Sequence, residues 1–186
     1  MNVTEYSKEI VKELDRTLAL VDAAGGEQIT DAILSSGKVL VAGAGRTGFA
    51  AKAFAMRLMH LGIDAYVVGE TVTPNIELGD LFFVASGSGE TASLVVMSEK
   101  AKKIGAKVAT VTIRPEGSIG KIADVVVKIP APTPKAEADA SFKSIQPMGS
   151  LFEQSLFLYL DAVIMRLMEK MVNDSDTMFT RHANLE

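Results

Sequence analysis

Five short runs of apolar and β-branched residues alternate with segments of helical pattern, and this alternation constrains the fold most. The runs lie at 38–43, 65–68, 80–85, 107–112 and 124–129. A continuous apolar run of this length is typical of a strand that is buried on both faces. Strands that alternate with helices join through right-handed crossovers into a parallel sheet. We therefore expect an α/β fold, a three-layer α/β/α sandwich around a five-stranded parallel sheet.

Helical patterns surround these runs. An amphipathic first helix is indicated by the spacing of Tyr6, Ile10, Leu14, Leu18 and Val21, and we expect Gly25 and Gly26 to end it. Further helices are predicted over 27–34, 47–62, 91–104, 118–122 and 151–171, with Gly62 as the stop of the third.

The chain reads as one domain of 186 residues. A protein of this length buries about 70% of its unfolded surface, and the 48% hydrophobic content excludes a disordered chain. We expect N-terminal helices in 1–36, the sheet core in 37–130, a proline-rich loop in 131–148, and a helix and tail in 149–186. That loop is expected to be either functional or a plain solvated linker.

Charge and composition exclude several function classes. A net charge of −4 gives no electrostatic reason to bind nucleic acid or an anionic membrane. The absence of cysteine excludes disulfides, a thiolate nucleophile and a thiolate metal site. The first ten residues contain no apolar stretch typical of a signal peptide, and charged residues interrupt the apolar segment 151–171, so we expect a cytoplasmic protein.

The last predicted helix is apolar on most of its circumference. Such a helix must be covered on several sides. Since little of the chain remains to cover it, we expect an oligomer interface there, with the same helix or the N-terminal helix of another subunit.

Two glycine-rich loops follow strands and open helices. The first, GAGRTG at 43–48, matches a dinucleotide fingerprint, with Glu70 placed where a ribose-binding acid would lie. Against that interpretation, Arg46 and Thr47 put side-chain donors into the loop. The pattern equally fits a tight turn that only packs helix against strand.

The second loop consists of Ser86, Gly87, Ser88, Gly89, Glu90 and Thr91. Its small residues let backbone N–H groups converge at a helix N-terminus, and three hydroxyls can donate to a phosphate monoester. We expect the Glu90 side chain to point away from such a dianion. The alternative is an ordinary Ser/Thr helix cap.

Glu153 falls in the first turn of the last helix, within QPMGSLFEQ at 146–154. Its spacing from Ser150 also fits a capping box, which is a purely structural role. As a free carboxylate among apolar side chains it would be a candidate general base.

The two histidines lie far apart in the sequence and give no metal-ligand spacing. We expect His60 to be a packed residue at a helix end, and His182 to be either a disordered tail residue or a group that reaches a neighbouring subunit's site. With no metal motif or cofactor motif beyond the weak first loop, the accessible chemistry is acid–base proton transfer. For a sugar phosphate this would mean isomerisation through an enediolate.

These features together resemble the sugar isomerase (SIS) domain family. The resemblance rests on AGAGRTG (42–48), AKAFAMRLMHLG (51–62), GSGET (87–91), IQPMGSLFEQ (145–154) and RHANLE (181–186). It implies a flavodoxin-like five-stranded sheet, a homotetramer and no cofactor. Within the family it is closest to enzymes that interconvert D-arabino-hex-3-ulose 6-phosphate and D-fructose 6-phosphate, working with a 3-hexulose-6-phosphate synthase.

The resemblance also implies roles for individual residues. Residues 86–91 would hold the phosphate with Thr47 and Arg46, Glu153 would be the base, and His182 would act at the site, either in its own subunit or in trans. Other SIS isomerases, such as those acting on arabinose 5-phosphate, and non-catalytic sugar-phosphate sensors remain as alternatives.

Overall fold

The structure is a computed structural model that describes residues 1–132 and 143–185. In this part of the chain the strands are β1 (Val39–Gly43), β2 (Ala65–Val67), β3 (Leu81–Ala85), β4 (Lys107–Thr112) and β5 (Val125–Lys128). The helices are α1 (Val3–Leu18), α2 (Ala23–Leu34), α3 (Gly45–His60), α4 (Ala92–Ile104), α5 (Ser118–Ile122), α6 (Ser150–Lys170) and α7 (Ser175–Phe179). Each predicted strand is confirmed to within one residue at each end, whereas α7 was not predicted.

The strands form an all-parallel sheet in the order β2-β1-β3-β4-β5. Val39 and Val41 face a core shared with α2, α3 and α6, whereas Leu40 and Ala42 face a smaller core shared with α4 and α5. This alternation covers the sheet with helices on both faces and confirms the predicted three-layer α/β/α sandwich.

Gly25 and Gly26 do not end the first helix, and that expectation is wrong. The helix ends earlier, at Leu18, and both glycines lie inside α2. Gly25 is needed there for close packing, because a Cβ on it would stand 2.7 Å from Cγ2 of Val127 in β5. Gly25 therefore serves the contact between helix and sheet, and this tertiary role overrides its usual meaning as a helix stop. A Cβ on Gly26 would stand 3.2 Å from the hydroxyl of Tyr159 in α6.

Gly62 does end α3, as predicted. Its φ is +85°, a left-handed conformation that glycine adopts without strain. Its N–H donates to the carbonyl of Met59 at 2.9 Å, and the N–H of Ile63 donates to that of Leu58 at 3.0 Å. These two bonds form a Schellman motif, which satisfies the last carbonyls of the helix.

The apolar helix α6 is covered mainly by its own chain. It packs against α1, α2 and α3 of the same subunit, and most of its apolar residues are buried, including Phe152, Leu156 and Leu160. The expectation that little of the chain remains to cover it is wrong, because α1 and α2 lie beside it. Phe157, Leu158 and Met165 stay exposed on its outer side.

Part of the predicted 131–148 loop, residues 133–142, lies outside the described residues. The segment that follows is held by Glu13 of α1, whose carboxylate accepts hydrogen bonds from Ser144 Oγ at 2.7 Å, Ile145 N at 2.8 Å and Gln146 Nε2 at 3.0 Å. Within the described residues, no helix is long and apolar enough to cross a membrane.

Candidate active site

A cavity of about 420 Å³ opens at the carboxyl ends of β1 and β3. The strand order reverses between these two strands, because β2 lies on one side of β1 and β3–β5 continue on the other. Ligands of open α/β sheets bind at such a switch point. The cavity also has the size of an ordinary small-molecule site.

The loop after β3 forms one wall of this cavity, to which Ser86, Gly87, Ser88 and Thr91 contribute. The loop is fixed to β4 by two backbone bonds, from Ser86 N to Val111 O at 3.1 Å and from Ile113 N to Gly87 O at 3.0 Å. The sheet therefore holds the loop in place without help from a ligand.

The hydroxyls of this loop are free to donate. Ser86 Oγ accepts from Gly89 N at 3.2 Å, and Ser88 Oγ accepts from Glu90 N at 3.3 Å. A hydroxyl that accepts in this way still carries its own proton for a ligand. Thr91 occupies the N-cap of α4, but its side chain makes no capping bond, so the ordinary-cap alternative does not describe Thr91.

Gly89 and Glu90 shape the loop from outside the cavity wall. Gly89 has a φ of +66°, a left-handed turn that brings Ser88 and Thr91 to the same side. Glu90 accepts from Ser118 N at 2.8 Å and from Ser118 Oγ at 2.6 Å. These bonds to Ser118 lower the pKa of Glu90, and they confirm that its side chain points away from the hydroxyls.

The first glycine-rich loop brings side chains to the opposite wall. Gly43 and Gly48 approach so closely that a Cβ on Gly48 would stand 2.7 Å from the carbonyl oxygen of Gly43. This contact lets α3 begin directly after β1, and Arg46 and Thr47 in its first turn line the cavity.

Glu153 completes the cavity from α6. The helix begins at Ser150 with Gly149 as its N-cap and makes no side-chain capping bond, so the capping-box alternative is not realised. Instead, Glu153 Oε2 accepts a hydrogen bond from Arg46 Nε at 2.6 Å. The carboxylate is therefore oriented by a residue that lies 107 positions earlier in the chain.

Three helices, α3, α4 and α6, point their N-termini into the cavity, because Gly45, Thr91 and Gly149 all line it. Each helix N-terminus carries about half a positive charge and unpaired backbone N–H groups. Their N–H groups make the cavity attractive to an anion.

The structure does not bring the histidines to this site. His60 is 4% exposed at the end of α3, where burial and the nearby Arg57 lower its pKa. The ring of His182 stacks on it at 5.5 Å. Since α3 rises 1.5 Å per residue, the His60 end lies roughly 20 Å from Arg46.

His60 is thus a packed residue at a helix end, as predicted. The role of His182 stays a prediction, and in this geometry it would need a neighbouring subunit.

Sequence reasoning missed the apolar wall of the cavity. Phe152, Ile113, Leu94 and Met148 line it, and a Cβ on Gly87 would stand 3.2 Å from the Phe152 ring. Met148 has a φ of +55°, unusual for a residue with a side chain. Met148 and Phe152 carried a signal, through their place in QPMGSLFEQ, whereas no motif pointed to Ile113 or Leu94.

Across residues 1–132 and 143–185, no three His, Cys, Asp or Glu side chains group as metal ligands do. The donors around the cavity are hydroxyls, backbone N–H groups and the Arg46 guanidinium, and the acceptor is the Glu153 carboxylate. They can bind an anionic ester at one end and accept a proton at the other.

Comparison with known proteins identifies the family of this chain. The SIS domain family matches residues 32–158, more than half of the chain. The chain belongs to the SIS domain family. The cavity lies between the two glycine-rich loops and the first turn of α6, and all three lie within the matched region.

Relatives within the SIS family match the chain over its full length. A 3-hexulose-6-phosphate isomerase of Bacillus subtilis (strain 168) is 53% identical over 186 residues and covers 100% of both chains. A 3-hexulose-6-phosphate isomerase of Mycobacterium gastri is 42% identical and covers 100% of this chain and 92% of that protein.

A solved structure extends the likeness to the fold. It is a crystal structure of a Methanococcus jannaschii protein for which a function of 3-hexulose-6-phosphate isomerase was inferred. It superimposes with a TM-score of 0.84 at 30% identity, covering 98% of this chain and 99% of that one.

Proposed function

We propose that this protein is a 6-phospho-3-hexuloisomerase, which interconverts D-arabino-hex-3-ulose 6-phosphate and D-fructose 6-phosphate. The observation that carries the proposal is one cavity that joins the hydroxyl-rich loop after β3 to the Glu153 carboxylate. Relatives that match the whole chain bear the name of this enzyme and support the choice of substrate.

The phosphate is assigned to the loop after β3. Ser86, Ser88 and Thr91 offer hydroxyl donors, and the first N–H groups of α4 lack helical partners. A phosphate dianion has enough acceptor oxygens for all of them, and the N-terminus of α4 favours its charge. Thr47, from the opposite wall of the same cavity, adds a fourth hydroxyl.

Proton transfer is assigned to Glu153. The carboxylate removes the proton on C2, beside the C3 carbonyl, and the C2–H electrons form a 2,3-enediolate with the charge on O3. Glu153 then returns the proton to C3, and the O2 proton passes to O3, which gives the C2 ketone and a C3 hydroxyl. The helix N-termini around the cavity stabilise the developing negative charge.

The substrate itself makes this small set of groups sufficient. With the carbonyl at C3 and O6 phosphorylated, no free hydroxyl can close a five- or six-membered ring. The hexulose phosphate is therefore open-chain, and no acid is needed to open it. This is consistent with a cavity to which the described residues bring no histidine.

Assembly, partner and location are part of the same proposal. We propose a homotetramer, in which the exposed Phe157, Leu158 and Met165 of α6 supply contact surface. A 3-hexulose-6-phosphate synthase would supply the substrate in the ribulose monophosphate pathway. Because a phosphorylated sugar does not cross membranes unaided, the enzyme is proposed to work in the cytoplasm, where its substrate is made.

A coupled assay tests the proposal. Ribulose 5-phosphate, formaldehyde and a synthase generate the hexulose phosphate, and the protein should convert it to fructose 6-phosphate. In heavy water, deuterium should enter carbon-bound positions of fructose 6-phosphate. Binding of fructose 6-phosphate without exchange would instead identify a sensor, and turnover of arabinose 5-phosphate alone would identify another SIS isomerase.

A further inference from the structure

The first turns of α3 and α6 are joined by an ion pair at the edge of the cavity. Arg46 Nε donates to Glu153 Oε2 at 2.6 Å. The Glu153 side chain is only 20% exposed, whereas that of Arg46 is 65% exposed. The Glu153 carboxylate is therefore held inside the cavity by a guanidinium that reaches in from the rim.

The two oxygens of Glu153 lie in different surroundings. Oε2 is engaged by the guanidinium, whereas Oε1 lies 3.5 Å from the place a Cβ on Gly149 would occupy. Because residue 149 has no side chain, the space beside Oε1 remains open. One oxygen is thus fixed and the other is available.

We propose that Arg46 is a positioning residue that holds Oε2 of Glu153 so that Oε1 can accept the substrate proton. The inference rests on the proposed function, since it concerns the orientation of its general base. It gives Arg46 a role at the Glu153 carboxylate, in place of the phosphate contact that the family resemblance implied.

Correct positioning of a general base has a large effect on the reaction rate. A general base must lie within hydrogen-bond reach of the proton it takes, and a displacement of 1 Å can cost about 10²-fold in rate. The Glu153 side chain has three torsion angles, and the helix backbone alone does not determine them. A guanidinium N–H has a fixed direction, whereas a lysine ammonium is a rotating point charge.

Arg46 lines the cavity and also reaches its outer rim. Arg46 and Glu153 together border a second, outer pocket of about 300 Å³ beside Phe49 and Phe157. The guanidinium is thus engaged at α6, where its Nε donates to Glu153. The β3–α4 loop that holds Ser86 and Ser88 already provides donors enough for a phosphate.

Kinetics of Arg46→Gln and Arg46→Lys test the inference, with Arg57→Gln as a control that removes the same charge further along α3. We expect kcat of both Arg46 variants to fall at least about tenfold, while the Kd for fructose 6-phosphate, measured by calorimetry, changes less than about threefold. A tenfold weaker Kd with kcat unchanged would overturn the inference, as would a fully active Arg46→Lys.

A double-mutant cycle measured by melting temperature tests the ion pair independently of enzyme activity. Wild type, Arg46→Gln, Glu153→Gln and the double variant are compared. If the pair exists in solution, the melting temperature of the double variant is no lower than that of the less stable single variant. If the decreases in melting temperature of the two single variants add in the double variant, the inference is overturned. Inactive wild type in the coupled assay would refute the proposed function, so the two failures are distinguishable.

Discussion

The two ends of the cavity are built in different ways. The phosphate end is the loop 86–91, six consecutive residues between β3 and α4. The acid end is Arg46, Gly149 and Glu153, which come from α3 and α6 and include partners 107 positions apart. One end is therefore a property of a short stretch of sequence, and the other exists only when distant helices pack.

Each end has a carboxylate that supports it from outside the cavity. At the phosphate end Glu90 holds Ser118 at the start of α5. At the acid end Glu13 holds residues 144–146, which lead into α6, from 131 or more positions away. We expect substitutions at the phosphate end to change binding, and substitutions at the acid end to change turnover.

The largest expected effect is at the acid end. Glu153→Gln removes the proton acceptor but leaves the phosphate loop intact, so kcat should fall by about 10²–10⁴-fold. Fructose 6-phosphate should still raise the melting temperature of the variant, because ligand binding stabilises the folded state. Normal turnover in this variant would remove Glu153 from the role of base.

The next effect is at the phosphate end. Ser88→Ala and Thr91→Ala each remove one hydroxyl donor to a charged group, which is worth about 1.5–3 kcal/mol. We expect KM to rise about tenfold or more, with kcat changed much less. The proposed contrast between the two ends fails if KM is unchanged in both variants.

Glu13→Gln weakens the hydrogen bonds that hold residues 144–146, the segment that leads into α6 and Glu153. Burial raises the pKa of Glu13, but hydrogen bonds from Ser144, Gln146 and Ile145 outweigh it and lower the pKa below its ordinary value of 4.5. Because the folded-state pKa is the lower one, the carboxylate stabilises the fold above pH 4.5, and this is lost as pH falls through the lowered value.

The variant should therefore melt a few degrees below wild type at pH 7, and the difference should shrink below pH 4.5. Its kcat should fall more than its KM rises, since the start of α6 carries the base. A difference in melting that persists unchanged at low pH would show that the Glu13 carboxylate charge is not responsible.

The smallest effect is expected for Glu90→Gln. The hydrogen bonds from Ser118 lower the pKa of Glu90, so it too stabilises the fold at neutral pH and loses this on acidification. Since the group is exposed, the melting temperature at pH 7 should fall by less than for Glu13→Gln. An equal or larger loss would contradict the view that the phosphate end is held mainly by its own backbone.

Sequence patterns predicted the strands well because a strand buried on both faces must be continuously apolar. They located the phosphate loop for a similar reason, since its donors are consecutive. They failed at Gly25 and Gly26, which lie inside α2, and at Gly25 packing against Val127 decides the need for glycine. They also failed to predict that α1, α2 and α3 cover α6, because the periodicity of a helix does not specify which other helices pack against it.

For Glu153 the sequence left two roles open. The spacing from Ser150 fits a capping box as well as it fits a base, and no local pattern could choose between them. The structure separates them, because helix α6 begins one residue earlier than that box requires and the carboxylate pairs with Arg46. The same packing moves His182 to the far end of α3.

The sequence by itself determined the layers of this protein, the order of its elements and the loop that can hold an anion. These follow from hydrophobic periodicity and from small residues at a helix start, which act over a few neighbouring positions. Only the tertiary structure decided which carboxylate faces that loop and which guanidinium orients it, because the contact between the two joins residues more than one hundred positions apart. Such contacts form only when the helices on one face of the sheet pack together.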